Sequence, residues 1–325
     1  MKNILIVILF IAAAAGGIFA FQTITKEQQY QKEPYAKQKP CPYKNLNPLR
    51  CEPDLAKKKK EYVVLRNELL DFLESEKKAG SILGASVYFR DLQNGPVLSI
   101  EGQQNFVPAS LLKVPLMITY YKKAETDPGL LKNMLTVDGD IASLSQNIPP
   151  KRFAEKGKTY TIDELIDLLV TQSDNTSWKM LLANLRKNYS EEDLISTLSD
   201  LGIIDPRKRS DQQYITAQSY ASIFRILYNS SYLNLEMSDK ALGLLTNSVF
   251  KEGIVAGVPT GTKVAHKFGE QKNGNEQQLH DCGIVYYPQN PYVLCVMTKG
   301  KDIAVLESVI KQVSKKVYQE VEERN

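Results

Sequence analysis

The stretch PASLLKVP, residues 108–115, sets a serine and a lysine three residues apart at the head of an apolar run, LLKVPLMITYY. At helical spacing Lys113 projects on the same side as Ser110. It is close enough to take the serine's proton if desolvation keeps the lysine neutral part of the time. Spacing alone does not separate a nucleophile with its base from a polar residue near a helix end, because Ser75/Lys78 and Ser308/Lys311 repeat it. Those two pairs lie in charged, amphipathic segments whose polar faces should be wet. Ser110 instead follows a proline and a small residue and opens a segment suited to a buried helix.

Downstream, Ser173-Asp174-Asn175 falls between the helical runs IDELIDLLV and TSWKMLLANLR. A loop between helices can present short polar side chains into a cleft, where a hydroxyl relays a proton and an amide holds a carbonyl. The same three residues equally suit a helix stop and the cap of the next helix. Farther on, His266-Lys267-Phe268-Gly269 sits on an expected strand ahead of a turn at Asn273-Gly274. Lys-x-Gly also occurs at Lys78, Lys251 and Lys272. A strand, however, would hold Lys267 rigidly at a cleft edge, ready to pair with an anionic carboxylate, and Gly269 would leave room for a substrate backbone.

These segments sit in a clear order of elements. Apolar positions 62, 65, 69, 72 and 73 predict a helix that stops near Lys77–Gly80. GASVYFRDL and VLSIE flank Asn94-Gly95, a dipeptide favoured in tight hairpin turns, and predict two paired strands. From about Pro108 to Phe250 the chain reads as helical, with capping boxes at Thr161/Glu164 and Ser190/Asp193 and a further helix from Ala217. Strands return near 263–270, 280–288 and 291–300, and a long helix closes the chain from Ile303 to Val321. The pattern predicts an α/β fold: an antiparallel sheet completed by both ends of the chain, flanked by terminal helices, plus an all-helical lobe.

At 325 residues, with 43% apolar and 24% charged residues, the chain can bury a substantial core. A net charge of +4 and the lack of any basic stripe interleaved with aromatics argue against nucleic acid as a partner, and Lys57–Lys60 reads as a solvated face. The uncharged segment Ile4–Phe21 reads as an export element, either a cleavable signal or a membrane anchor. The expected organisation is a signal peptide or anchor over 1–21, an extracytoplasmic tether over 22–54 and a catalytic domain over 55–325. The domain is expected to be monomeric and to work outside the cytoplasm. Cys41 and Cys51 bracket a Pro-containing loop and are the likelier disulfide pair. Folding a hairpin at Pro288–Pro291 sets Cys282 and Cys295 diagonally, which leaves a bridge and two buried thiols both open. With two histidines and no Cys/His cluster, the sequence carries no zinc pattern.

Taken together and in this order, Ser110-x-x-Lys113, Ser173-Asp174-Asn175 and Lys267-Phe268-Gly269 resemble the motif set of the class A β-lactamase-like serine hydrolases, within the β-lactamase and penicillin-binding protein superfamily. The resemblance covers roughly Leu65 to Val321. It implies a serine-type hydrolase needing no cofactor, with a β-lactam or a cell-wall D-Ala-D-Ala peptide as substrate. It further implies that Ser110 is acylated, that Lys113 accepts its proton, and that Ser173, supported by Lys267, returns a proton to the departing nitrogen. Asn175 would orient the acyl side chain, and the backbone N–H groups of Ser110 and Glu270 would form the oxyanion hole.

Two departures from that pattern bear on function. Phe268 stands where the family has a hydroxyl residue, so a hydrogen bond to a substrate carboxylate is missing and an aromatic face is expected instead. Losing such a charge-assisted bond costs about 1.5 to 3 kcal/mol. The window Gly202–Gln218, where the family carries a deacylating glutamate and a partner asparagine, contains neither. Asp211 is its candidate substitute, standing among Arg207, Lys208 and Arg209. Without a substitute, acylation would proceed and the acyl-enzyme would persist. A non-catalytic cell-wall-binding surface protein is the alternative of a different class.

Overall fold

The computed structural model describes residues 62–93, 96–138, 146, 148–203, 205, 207, 213–288 and 290–324. The apolar leader, the tether, Cys41 and Cys51, the Asn94-Gly95 turn and Asp211 all lie outside the described residues.

Alternating side chains build the sheet. In β1 (Ile82–Asp91), Val87 and Phe89 join the core under the terminal helices, while Tyr88 between them faces the helical lobe. β2 (Val97–Ile100) and the C-terminal strands β5 (Val264–Asn273), β6 (Glu276–Val285) and β7 (Tyr292–Gly300) complete a five-stranded antiparallel sheet of order β2-β1-β7-β6-β5. The two ends of the chain therefore meet at the β1–β7 pairing, and β5 is left as an edge. α1 (Val63–Lys78) and the closing helix, numbered α8 below, cover one face through Leu65, Leu69, Val313 and Val317.

The other face carries the lobe. It comprises α2 (Lys113–Ala124), the small β3 (Met134–Thr136) and β4 (Thr159–Thr161) pair, α3 (Ile162–Thr171), α4 (Asn175–Asn188), α5 (Glu191–Asp200), α6 (Ala217–Tyr228) and α7 (Leu235–Thr246), before α8 (Ile303–Glu323). Both expected capping boxes are present: Thr161 and Glu164 start α3, and Ser190 and Asp193 start α5. Among the described residues, no helix is long and apolar enough to cross a membrane.

The cysteine expectation needs correction. Cys282 and Cys295 lie directly opposite in the β6–β7 register and are joined as a cross-strand disulfide on the sheet face that meets the lobe. Pro291 has no N–H to give a ladder, so pairing begins at Tyr292 opposite Val285, two positions away from the register that a turn centred on the prolines implies.

Candidate active site

Pro108 leads into a 3-10 turn, Ala109–Leu112, that passes straight into α2. Ala109 has φ +46°, a left-handed conformation that costs a non-glycine residue energy and persists only when its surroundings enforce it. The surroundings are visible on both sides. Val107 donates its N–H to Gln278 Oε1 at 3.1 Å, its carbonyl accepts from His280 Nε2 at 3.0 Å, and Tyr220 Oη donates to the Leu111 carbonyl at 2.8 Å. Burial pushes the His280 imidazole down to about 4, so the ring is neutral and its Nε2–H is the donor.

Gly269 governs how close β5 comes to this turn. A Cβ there would lie 2.9 Å from Leu111 Cγ and 3.0 Å from the Pro108 carbonyl oxygen. The room expected for a substrate backbone is thus filled by the chain itself, and the missing side chain lets the strand dock against the nucleophile turn. Phe268 also departs from expectation. Its ring is fully buried, stacks at 4.6 Å on Phe250 and lies 4.1 Å from Lys267 Nζ, so its aromatic face meets the lysine and not open cleft. Strand parity explains this: Phe268 shares the terminal-helix face with His266, whose Nδ1 lies 2.7 Å from Asp281 Oδ1 in a wholly buried pair.

Between the turn and β5 lies Ser173, held at φ +56° and completely buried. Asp174 supplies both a helix cap and a brace. Its carboxylate accepts from the N–H groups of Thr176, Ser177 and Ala154 and from Ser177 Oγ. The capping reading of Ser-Asp-Asn is therefore true of Asp174, and it frees its neighbours to face the cleft. Lys113 Nζ donates to the Ser173 carbonyl, to Ser173 Oγ at 3.1 Å and to Asn175 Oδ1 at 2.8 Å. Lys267 Nζ reaches the same Ser173 Oγ at 2.9 Å and the Phe268 carbonyl at 2.8 Å.

Electrostatics follow from burial. Desolvation lowers Lys113 to about 7, opposed by the fields of Asp174 and Glu270. Lys267 is pushed well below its ordinary value, by desolvation first and then by Lys113. Ser110 is half-buried and lines a cleft of about 610 Å³ together with Lys113, Asn175, Trp178 and Glu270. Its hydroxyl has no hydrogen-bond partner among the described residues, while its base candidate Lys113 is engaged by Ser173 and Asn175. The structure thus brings Ser110, Lys113, Ser173, Asn175, Lys267, Gly269 and Glu270 to one site.

Three participants escape the motifs. Trp178 lies one helical turn beyond Asn175, a spacing that would have found it. Gln146, whose Nε2 donates to the Ser173 carbonyl at 3.1 Å, and Gln278 come from segments with no local signal. In the deacylation window, Asp205 pairs with Arg207 at 2.9 Å, and Arg207 also pairs with Glu192 on an exposed surface. Among the described residues, no cluster of His, Cys, Asp and Glu could hold a metal ion.

The sequence profile of the β-lactamase enzyme family matches residues 65–321. The chain belongs to that family. Solved structures agree on the fold. One is PBP-A, at 22% identity and TM-score 0.67, with 82% of this chain and 98% of that one covered. A mutant of PBP-A captured as an acyl-enzyme complex with penicillin G gives 23%, 0.68, 82% and 98%. A β-lactamase from Chitinophaga pinensis DSM 2588 gives 19%, 0.67, 79% and 99%. No curated protein matches the sequence. As a β-lactamase-family protein, the chain has the antiparallel sheet, helical lobe and serine-hydrolase architecture of its relatives.

Proposed function

We propose that this β-lactamase-family protein is an exported serine hydrolase that forms an acyl-enzyme at Ser110 with β-lactams or D-Ala-D-Ala-like peptides. The observation that carries the reading is the Ser173 hydroxyl held by Lys113 and Lys267 at the cleft that Ser110 lines. With its proton held only to about pH 7, Lys113 takes the Ser110 hydroxyl proton as Oγ attacks the carbonyl carbon. The backbone N–H groups of Ser110 and Glu270 receive the developing oxyanion. As the C–N bond breaks, Ser173 Oγ gives its proton to the leaving nitrogen and regains one from Lys113, while Lys267 stabilises the charge on that oxygen. Asn175 holds the acyl side chain's amide.

Water must then cleave the ester. The window 202–218 lacks glutamate, and Asp211 is the candidate in its place, so deacylation is slow. This favours a D,D-peptidase or penicillin-binding protein of cell-wall metabolism over an efficient β-lactamase, because trapping by a β-lactam requires no fast hydrolysis. The leader 1–21 anchors the chain in the membrane or directs its secretion. The tether 22–54 then carries the catalytic domain, 55–325, outside the cytoplasm.

Intact mass over time, for the protein mixed with penicillin G beside Ser110→Ala, tests the reading. A Ser110-dependent adduct that persists supports it in the peptidase form. Ser110-dependent consumption of many equivalents makes it a β-lactamase, with Asp211→Asn the next variant. No Ser110 dependence, with penicillin G or with an acyl donor whose leaving group is uncharged, removes the acylation reading and leaves a cell-wall-binding protein.

A further inference from the structure

The β5 side of the cleft offers an anion little to hold. Lys267 is wholly enclosed, and its Nζ already serves Ser173 Oγ and the Phe268 carbonyl. The Phe268 ring lies in the core and brings no hydroxyl. The next cleft-lining residue on this strand is a carboxylate, Glu270. Its Oε1 accepts the Ile148 N–H at 2.8 Å, and its Oε2 is buried without any donor. With no donor on that oxygen, the carboxylate keeps its negative field toward the cleft, where it acts on Lys113 and Lys267 and would oppose a second anion.

On the acylation reading, which this inference presupposes, the leaving group lies against Ser173, the residue that protonates it. Gln146 donates to the Ser173 carbonyl and the Ile148 N–H to Glu270, so two residues two positions apart in the chain reach both groups. A leaving group ending in a free carboxylate would therefore bring a second negative charge toward Glu270. Lys272 also lines this wall, but it is exposed, and water screens its charge.

We propose that Glu270 sets the specificity of this site, selecting acyl donors whose leaving group ends in an uncharged N–H donor such as a carboxamide and disfavouring those that end in a free carboxylate. The substrate class is then an amidated peptide terminus, which brings no second negative charge against the Glu270 carboxylate.

The test compares an N-acylated D-alanyl-D-alanine peptide with its C-terminal carboxamide on the full chain. Two readouts are used: turnover by wild type and Glu270→Gln, and equilibrium binding to Ser110→Ala followed by the fluorescence of Trp178, the only tryptophan in the chain. The amide is expected to be favoured about tenfold or more in both. Glu270→Gln, which keeps an oxygen for Ile148, is expected to narrow that preference roughly tenfold by admitting the acid. Equal or tighter use of the acid, binding of neither peptide, or a preference unchanged in Glu270→Gln overturns the inference. Amide-selective binding to Ser110→Ala without turnover of either peptide removes the acylation reading, and with it the claim about acyl donors, and leaves Glu270 only as a selector of the bound ligand.

Discussion

Lys113 and Lys267 converge on a single atom, their Nζ groups standing 3.1 and 2.9 Å from Ser173 Oγ. Both amines are buried, desolvation weakens the hold of each on its proton, and the charge on Lys113 further disfavours one on Lys267. Three separate stretches of sequence thus act as one hydrogen-bonded unit. Its central hydroxyl belongs to Ser173, and Ser110 stands at its open end.

The first prediction concerns pH. Lys113 is held at about 7, so its basic form gains with each pH unit up to 7. The acylation rate with a β-lactam should rise about tenfold per unit below pH 7 and level off above it. Lys113→Ala should be slower by roughly 10²- to 10⁴-fold and lose this limb. Rates measured from pH 5 to 9 check this, and a flat wild-type profile would separate Lys113 from proton transfer. Stability carries the same sign. An unfolded chain holds this proton up to about 10.5, so between 7 and 10.5 the unfolded state binds more protons and stability rises with pH. Below 7 the penalty is constant.

A second prediction rests on His280. Its folded value of about 4 lies below the unfolded 6.5, so the unfolded state binds the extra proton between those limits. Stability should fall as pH drops from 6.5 to 4, by roughly 3 kcal/mol from this group alone. His280→Gln should lose that component while Gln Nε2 still reaches toward Val107. Thermal unfolding of both proteins from pH 4 to 7 decides it: parallel curves would show that His280 does not titrate on unfolding.

Much of this was legible before any coordinates. Thr161/Glu164 and Ser190/Asp193 announced their helices because a capping box is a local contact, and the three motifs fell on the expected elements. The motif alone assigns Phe268 and Gly269 to substrate, whereas the fold sets the Phe268 ring beside Lys267 and packs Gly269 against the chain. Strand parity sends one side chain into the terminal-helix core, and the other position is filled by the Pro108–Leu111 turn, brought there by tertiary packing. The Val107 clasp links residues more than 170 positions apart, and no local pattern encodes such a contact.

Gly269→Ala should therefore damage the site without touching substrate. Its Cβ would meet a backbone carbonyl and Leu111, neither of which is a flexible side-chain end. The expected cost is about 1 to 3 kcal/mol of stability, with slower acylation because β5 and the Ser110 turn move apart. Denaturant unfolding and acylation rates measured together check it. A variant with full stability and full activity would mean that the strand and turn tolerate separation.

Trp178 provides the last prediction, and it concerns the acyl half of the substrate. The indole is half-buried, packed on the lobe core, and lines the cleft one turn from Asn175. An acyl chain whose amide rests on Asn175 would run onto its face, so an apolar or aromatic side chain should bind better than a small one. Because no other tryptophan is present, acylation by penicillin G should change the intrinsic fluorescence, and Ser110→Ala should abolish the slow phase. Trp178→Ala should lower the acylation efficiency for penicillin G about tenfold while changing that for 6-aminopenicillanic acid, which lacks the phenylacetyl group, by less than threefold. An equal loss for both compounds would mean that the indole supports the helix and does not contact the acyl group.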